Sequence, residues 1–281
     1  MKRLMSFLLI SCFLTAILGQ NVFISKRLTK KWEVKGDLKV PESVFYDNLN
    51  SVIYVSNVTG TPNDKDNSGF ISKLSPDGKV ISANWITGLN APKGIGVVGN
   101  LLYVSDIDRV AEIDVKAGKI NRMIEIPGSK FLNDIATDAQ GNVYVSDSEN
   151  STIHRIRQGK AELLAKSESL EGINGLYVFE GNLLAGLKNK IVRIDLKTNE
   201  IKDFILNTGG IDGLVPDGNG DFLISDWQGN INLVGQNKEK EKLADTSPAK
   251  VNAADIDYVV SKKLLLVPTF AANSVVAYEL K

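Results

Sequence analysis

The chain has 281 residues, is 43% hydrophobic and 23% charged, and carries 33 Lys+Arg against 33 Asp+Glu, a formal net charge of zero. Balanced charge, with no basic run beyond Lys30-Lys31 and the mixed stretch 238–242, gives no electrostatic case for nucleic acid or an anionic membrane as partner. A single cysteine and a single histidine exclude a disulfide framework, a Ser-His-Asp triad and a histidine-built zinc site.

In chain order, Met1-Lys2-Arg3 and the apolar run Leu4 to Leu18 read as a signal peptide over 1–19, cut after Gly19 or Gln20, too short to span a bilayer comfortably. The alternative is a lipoprotein box at Leu9-Ile10-Ser11-Cys12, which would put a lipid on Cys12 and is the one route to a membrane. Either leader implies export, to the periplasm or outside the cell. Residues 27–36 (RLTKKWEVKG) then read as one strand ahead of a repeat.

The repeat is clearest over Phe131 to Arg157, where a strand, the turn Ala139-Gln140-Gly141-Asn142, the strand Val143-Tyr144-Val145-Ser146-Asp147 and a third strand follow one another. Its equivalents centre on Tyr54, Tyr103, Tyr144, Leu184, Leu223 and Leu266, spaced 49, 41, 40, 39 and 43 residues apart. Six units of that length predict an all-β fold, a six-bladed β-propeller occupying residues 27–281 as one domain. A propeller must hide two raw sheet edges where its ends meet, so the 27–36 strand is expected to complete the last blade beside Ser274–Tyr278. The first unit is longest because of the insertion Val58 to Ser68, whose Asp64 and Asp66 lack the spacing and closing Glu of a calcium loop and read as a solvated loop. The triplets at Asn57 and Asn150 match glycosylation acceptors but recur too often by chance to carry weight. His154, in TIHRI, falls in a third strand and reads as a packing residue.

Chemistry is expected where the innermost strands begin, around the central channel. Ten to twelve residues before each repeat centre lie Glu42, Lys93, Asn133, Asn174, Asp212 and Ala254, a ring of six with five polar or charged members. Gly94, Gly175 and Gly213 directly follow three of them, suiting close backbone approach near a crowded axis. Two carboxylates and two carboxamides form an oxygen-rich pocket, and a divalent cation is the simplest way to hold Glu42 and Asp212 together. The hard oxygen ligands favour calcium, with magnesium, manganese or zinc compatible. The competing reading is a water-filled channel merely hydrated by these side chains.

The stretches VPESVFYD at Glu42, FLNDIATDAQGNVYV at Asn133, INGLYV at Asn174 and IDGLVPDGNGDFLIS at Asp212 resemble, in order and in blade, the landmarks of the senescence marker protein, gluconolactonase and luciferin-regenerating enzyme family. The resemblance implies that Glu42, Asn174 and Asp212 hold one divalent cation, that Asn133 contacts substrate, and that a lactone or related ester is opened by metal-activated water with Asp212 as base. Members acting on sugar lactones often carry Arg where this chain has Phe131, and Lys93 adds a cation from the neighbouring blade. Phe131 and Lys93 are therefore expected to shape substrate choice, away from polyhydroxylated lactones. The shortage of histidine departs from paraoxonase-like lactonases, which use it. A non-catalytic propeller binding a ligand or protein through its channel face, resembling NHL-repeat proteins, is the alternative.

Overall fold

A computed structural model describes residues 21–281; the leader and Cys12 lie outside the described residues. The strands form six sheets arranged as a six-bladed β-propeller. Each blade runs from an inner strand at the axis to an outer strand at the rim. The inner strands are Pro41–Asp47, Pro92–Val98, Leu132–Thr137, Leu176–Phe179, Leu214–Pro216 and Asp257–Val259.

Second strands such as Val52–Asn57 and Phe222–Ser225 are buried on both faces because each sheet is covered on both sides. In blade one, Ile53 and Val55 pack toward blade six while Tyr54 packs toward blade two. The core is accordingly split into wedges between neighbouring blades, one at each of the six junctions among the described residues.

The ring closes as the strand at its N-terminal end requires. Leu28–Lys35 pairs antiparallel with Ser274–Leu280, turning a three-stranded sheet into the fourth-strand-completed blade six. One strand escaped the sequence reading: Phe23–Ile24 pairs with Glu241–Asp245 on the outer edge of blade five, so the described N-terminal end straps two blades rather than one. Two residues are too few to show a periodicity.

The recurrent Ser-Asp that ends the second strands positions the inner strands. In blade one, Pro41 pairs with Asn57 and Val44 with Val55, leaving Glu42 and Ser43 opposite Ser56 in a β-bulge. The same interruption falls between Pro92 and Ile95 and between Leu132 and Ile135. Serine hydroxyls take up the displaced amides: Ser43 donates its N–H to Ser56 Oγ at 2.9 Å, Asp134 to Ser146 Oγ at 3.0 Å and Gly213 to Ser225 Oγ at 2.9 Å. Asp106 and Asp147 each accept two backbone N–H groups from the loop entering their own blade. These buried side chains are thus spent on the backbone, fixing where each inner strand begins.

Candidate functional site

All six ring positions lie at one end of the channel, opposite the ends of the second strands. Asn174, Asp212 and Ala254 donate their N–H groups to the carbonyls of Gly186, Ser225 and Pro268. The glycines beside them are needed for clearance rather than for unusual dihedrals. A Cβ on Gly175 would lie 2.6 Å from the carbonyl oxygen of Asp212, and one on Gly94 would lie 2.5 Å from the Cα of Asp134.

Asn174 donates from Nδ2 to Asp212 Oδ1 at 2.7 Å, linking blades four and five. An ionised carboxylate only accepts, so this bond fixes the orientation of the amide and leaves Asn174 Oδ1 facing elsewhere. That oxygen is buried without a partner, and so is Glu42 Oε2. Buried acceptors are ordinarily satisfied, so two orphans from blades one and four beside the Asp212 carboxylate form a coherent set awaiting a positive partner. Among the described residues no three His, Cys, Asp or Glu side chains group as a metal site; the third oxygen here belongs to an amide.

The electrostatics agree with this geometry. Burial, then the charges of Asp212 and Asp134, raise the Glu42 carboxyl well above the usual range against the opposing pull of Lys93. Burial pushes Asp212 up to about 7, and the Asn174 bond works against it. Asp134 is also pushed up to about 7 by burial, although its carboxylate accepts the N–H groups of Leu176 and Ile135. Asp255 is raised by burial and by Asp134 and Glu42, while Ser43 Oγ donates to it at 2.5 Å. Asp134 and Asp255 occupy the positions directly after Asn133 and Ala254, one step beyond the ring read from the sequence. They line a channel cavity of about 260 Å³ with Phe45, Thr137 and Tyr177.

Asn133 is buried and its Nδ2 donates to Ser148 Oγ at 3.3 Å. Lys93 is 2% exposed, makes no ion pair among the described residues, and donates to the carbonyls of Pro62 and Ala91 at 2.9 and 3.1 Å. Its ammonium stands 4.4 Å from the centre of the Phe131 ring, so these two expected substrate residues form one cation–π unit, and one face of Phe131 is already used. The 58–68 insertion is mostly exposed, as its reading as a solvated loop expects, but it is tied down at three points, the first of them this Pro62 carbonyl. Lys65 pairs with Asp108 at 2.5 Å, and Val58 anchors a small apolar cluster with Ala91, Ile107, Val40 and Phe270. Val40, Ile107 and Phe270 all have positive φ, at 50°, 65° and 46°. Such backbone costs about 1–3 kcal/mol per residue and persists only where its surroundings impose it. Asp64 and Asp66 accept backbone N–H groups of their own loop, from Thr61 and Ser68. His154, buried beside Thr152, is held below its usual range by burial and stands apart from the ring, as expected of a packing residue.

The structure is similar to that of virginiamycin B lyase from Staphylococcus aureus, at 16% identity and TM-score 0.63 over 89% of this chain and 99% of that one. A streptogramin B lyase structure aligns at 15% identity and TM-score 0.65 over 90% and 97%. A nidogen/laminin complex aligns at 18% identity and TM-score 0.59 over 69% and 75%. These likenesses establish the six-bladed propeller class and nothing finer. No family model matches the chain, and no curated protein matches it by sequence.

Proposed function

We propose that this propeller is an exported metal-dependent hydrolase of the gluconolactonase-like type, opening a lactone or related ester by metal-activated water. The observation that carries the reading is the pair of buried, unpartnered oxygens, Glu42 Oε2 and Asn174 Oδ1, beside Asp212. Glu42, Asn174 and Asp212 fit one divalent cation: three hard oxygen donors, two of them carboxylates held close despite mutual repulsion. Calcium suits them best, with magnesium, manganese or zinc as alternatives. When bound, the cation supplies Lewis acidity toward an ester carbonyl and acidifies water.

The remaining work falls to side chains. Asp212 takes the proton of water as its oxygen bonds to the acyl carbon, and returns it to the alkoxide released when the ring C–O bond breaks. Asn133 orients the substrate from blade three. Lys93, a buried ammonium that makes no ion pair among the described residues, favours negative charge developing on the substrate oxygen. Phe131 replaces a charged, directional donor with apolar area, favouring less polar substrates over gluconolactone.

The test is a lactone panel on chelator-treated protein with and without restored calcium, in wild type and Phe131→Arg. Cation-dependent opening of alkyl lactones in preference to gluconolactone supports the reading, and Phe131→Arg should shift the ratio toward gluconolactone. Absence of cation-dependent turnover across the panel refutes it.

A further inference from the structure

One sector of the channel mouth has a different chemistry from the rest. Blade six contributes Ala254, the one apolar member of the ring, and the loops on either side of it carry two aromatic side chains. Trp227 follows Ser225 by two residues, and Ser225 pairs through its backbone with Asp212, so the indole belongs to the ring's end of the channel. Trp227 is 53% exposed, and it meets Phe270 edge to face with ring centres 5.7 Å apart.

This pair is held in place from below. Asn252, two residues before Ala254, donates from Nδ2 to the carbonyl of Trp227 at 2.7 Å and accepts the N–H of Ala271 on Oδ1 at 3.3 Å. One buried amide thereby clamps both aromatic loops. Phe270 adopts positive φ and packs its other side against Val58, Ala91 and Ile107, so the ring is fixed between blades six, one and two. A clamped, partly exposed aromatic pair at the ring's end of the propeller, with Phe270 held at positive φ, is preorganised for a ligand.

We propose that the Trp227–Phe270 pair above Ala254 is a subsite for an aromatic ring carried by the substrate; as a statement about substrate it rests on the hydrolase reading. Indole faces stack on sugars as well as on aryl groups, and the neighbouring polar groups decide between them. Asn252 has both ends of its amide engaged, Thr269 Oγ1 is engaged with Ser274, and Asp226 accepts from Gly229 and Asn230. Hydroxyls of a sugar placed there would find these groups already satisfied and would lose water without replacement, whereas an aryl ring loses nothing. The ester or lactone group of the same molecule would then lie toward the polar ring members.

The test compares γ-phenyl-γ-butyrolactone with γ-butyrolactone, and the corresponding lactams as ligands that resist opening. In calcium-loaded wild type the phenyl lactone should lead in kcat/KM by about tenfold, the scale of one well-formed aromatic contact. Trp227→Ala should bring the two within about twofold, while Trp227→Phe keeps most of the preference. The phenyl lactam should quench indole fluorescence in wild type and bind about tenfold more weakly to Trp227→Ala, whose thermal midpoint reports that the fold is kept. If the lactones are opened but Trp227→Ala leaves their ratio unchanged, the subsite is overturned and the hydrolase reading stands. If neither lactone is opened, the lactams decide alone: selective phenyl-lactam binding lost in Trp227→Ala supports the subsite and removes the hydrolase, and equal binding to wild type and variant overturns the subsite.

Discussion

Replacing Asp212 with Asn separates the cost of its buried charge from the value of its shape. Asn keeps an oxygen for the Asn174 Nδ2 donor that now stands at 2.7 Å and removes one negative charge from beside Glu42. The Asp212 carboxyl is raised from 3.8 to about 7, with burial as the main cause. The folded state therefore holds this proton more tightly than the unfolded chain does, so the contribution to stability is full below pH 4 and is lost as pH rises toward 7. Three units at about 1.36 kcal/mol each put the cost near 4 kcal/mol at pH 8 without a cation. At about 2–4 °C per kcal/mol for a chain of this size, Asp212→Asn should melt on the order of ten degrees above wild type at pH 8 in chelator. Below pH 4 the two should coincide. Calcium at a hundred times its dissociation constant should return about 2.7 kcal/mol to wild type and nothing to the variant. Thermal unfolding followed by circular dichroism from pH 4 to 8, with chelator and with calcium, reads all of this. A variant less stable than wild type by the same margin at every pH would refute the reasoning, because the loss would then be one of packing.

Gly175→Ala should destabilise by about 1–3 kcal/mol, since its Cβ would lie 2.6 Å from the Asp212 carbonyl and part blades four and five; an unchanged denaturant midpoint would contradict the clearance argument. Removing residues 21–35 strips blade six of its outer strand and uncovers the partners of Leu28 and Val34, and should produce concentration-dependent aggregation visible by light scattering. Ser225→Ala removes the acceptor for Gly213 N–H and the donor to the Ala254 carbonyl, and should cost about 1–3 kcal/mol in chemical unfolding.

Much of this architecture was legible because a propeller repeats itself. The tyrosine and leucine centres gave the blade count, and a step of ten to twelve residues back from them reached Glu42, Asn133, Asn174 and Asp212, which the structure sets at one end of the channel. The same step plus one would have reached Asp134 and Asp255, but adjacent residues on a strand ordinarily face opposite ways; a bulge brings Asp134 into the channel, and Asp255 precedes its inner strand and bridges to Ser43 instead. The backbone role of the Ser-Asp repeat has no signature in the sequence beyond its recurrence. Trp227 and Phe270 sit in loops of unlike sequence forty-three residues apart, and nothing in either loop announces that Asn252 joins them. The 58–68 loop is solvated as its polar residues suggest, but its link to Lys93 was not legible because it is made by the backbone carbonyl of Pro62.

The most direct test of the account is the amount of divalent cation retained per chain after equilibrium dialysis against calcium, in wild type, Asn133→Ala and Asp212→Ala. Glu42, Asn174 and Asp212 as a single cation site predict one equivalent in wild type and in Asn133→Ala, and none in Asp212→Ala. Wild type without bound cation, or Asp212→Ala retaining as much as wild type, would contradict it.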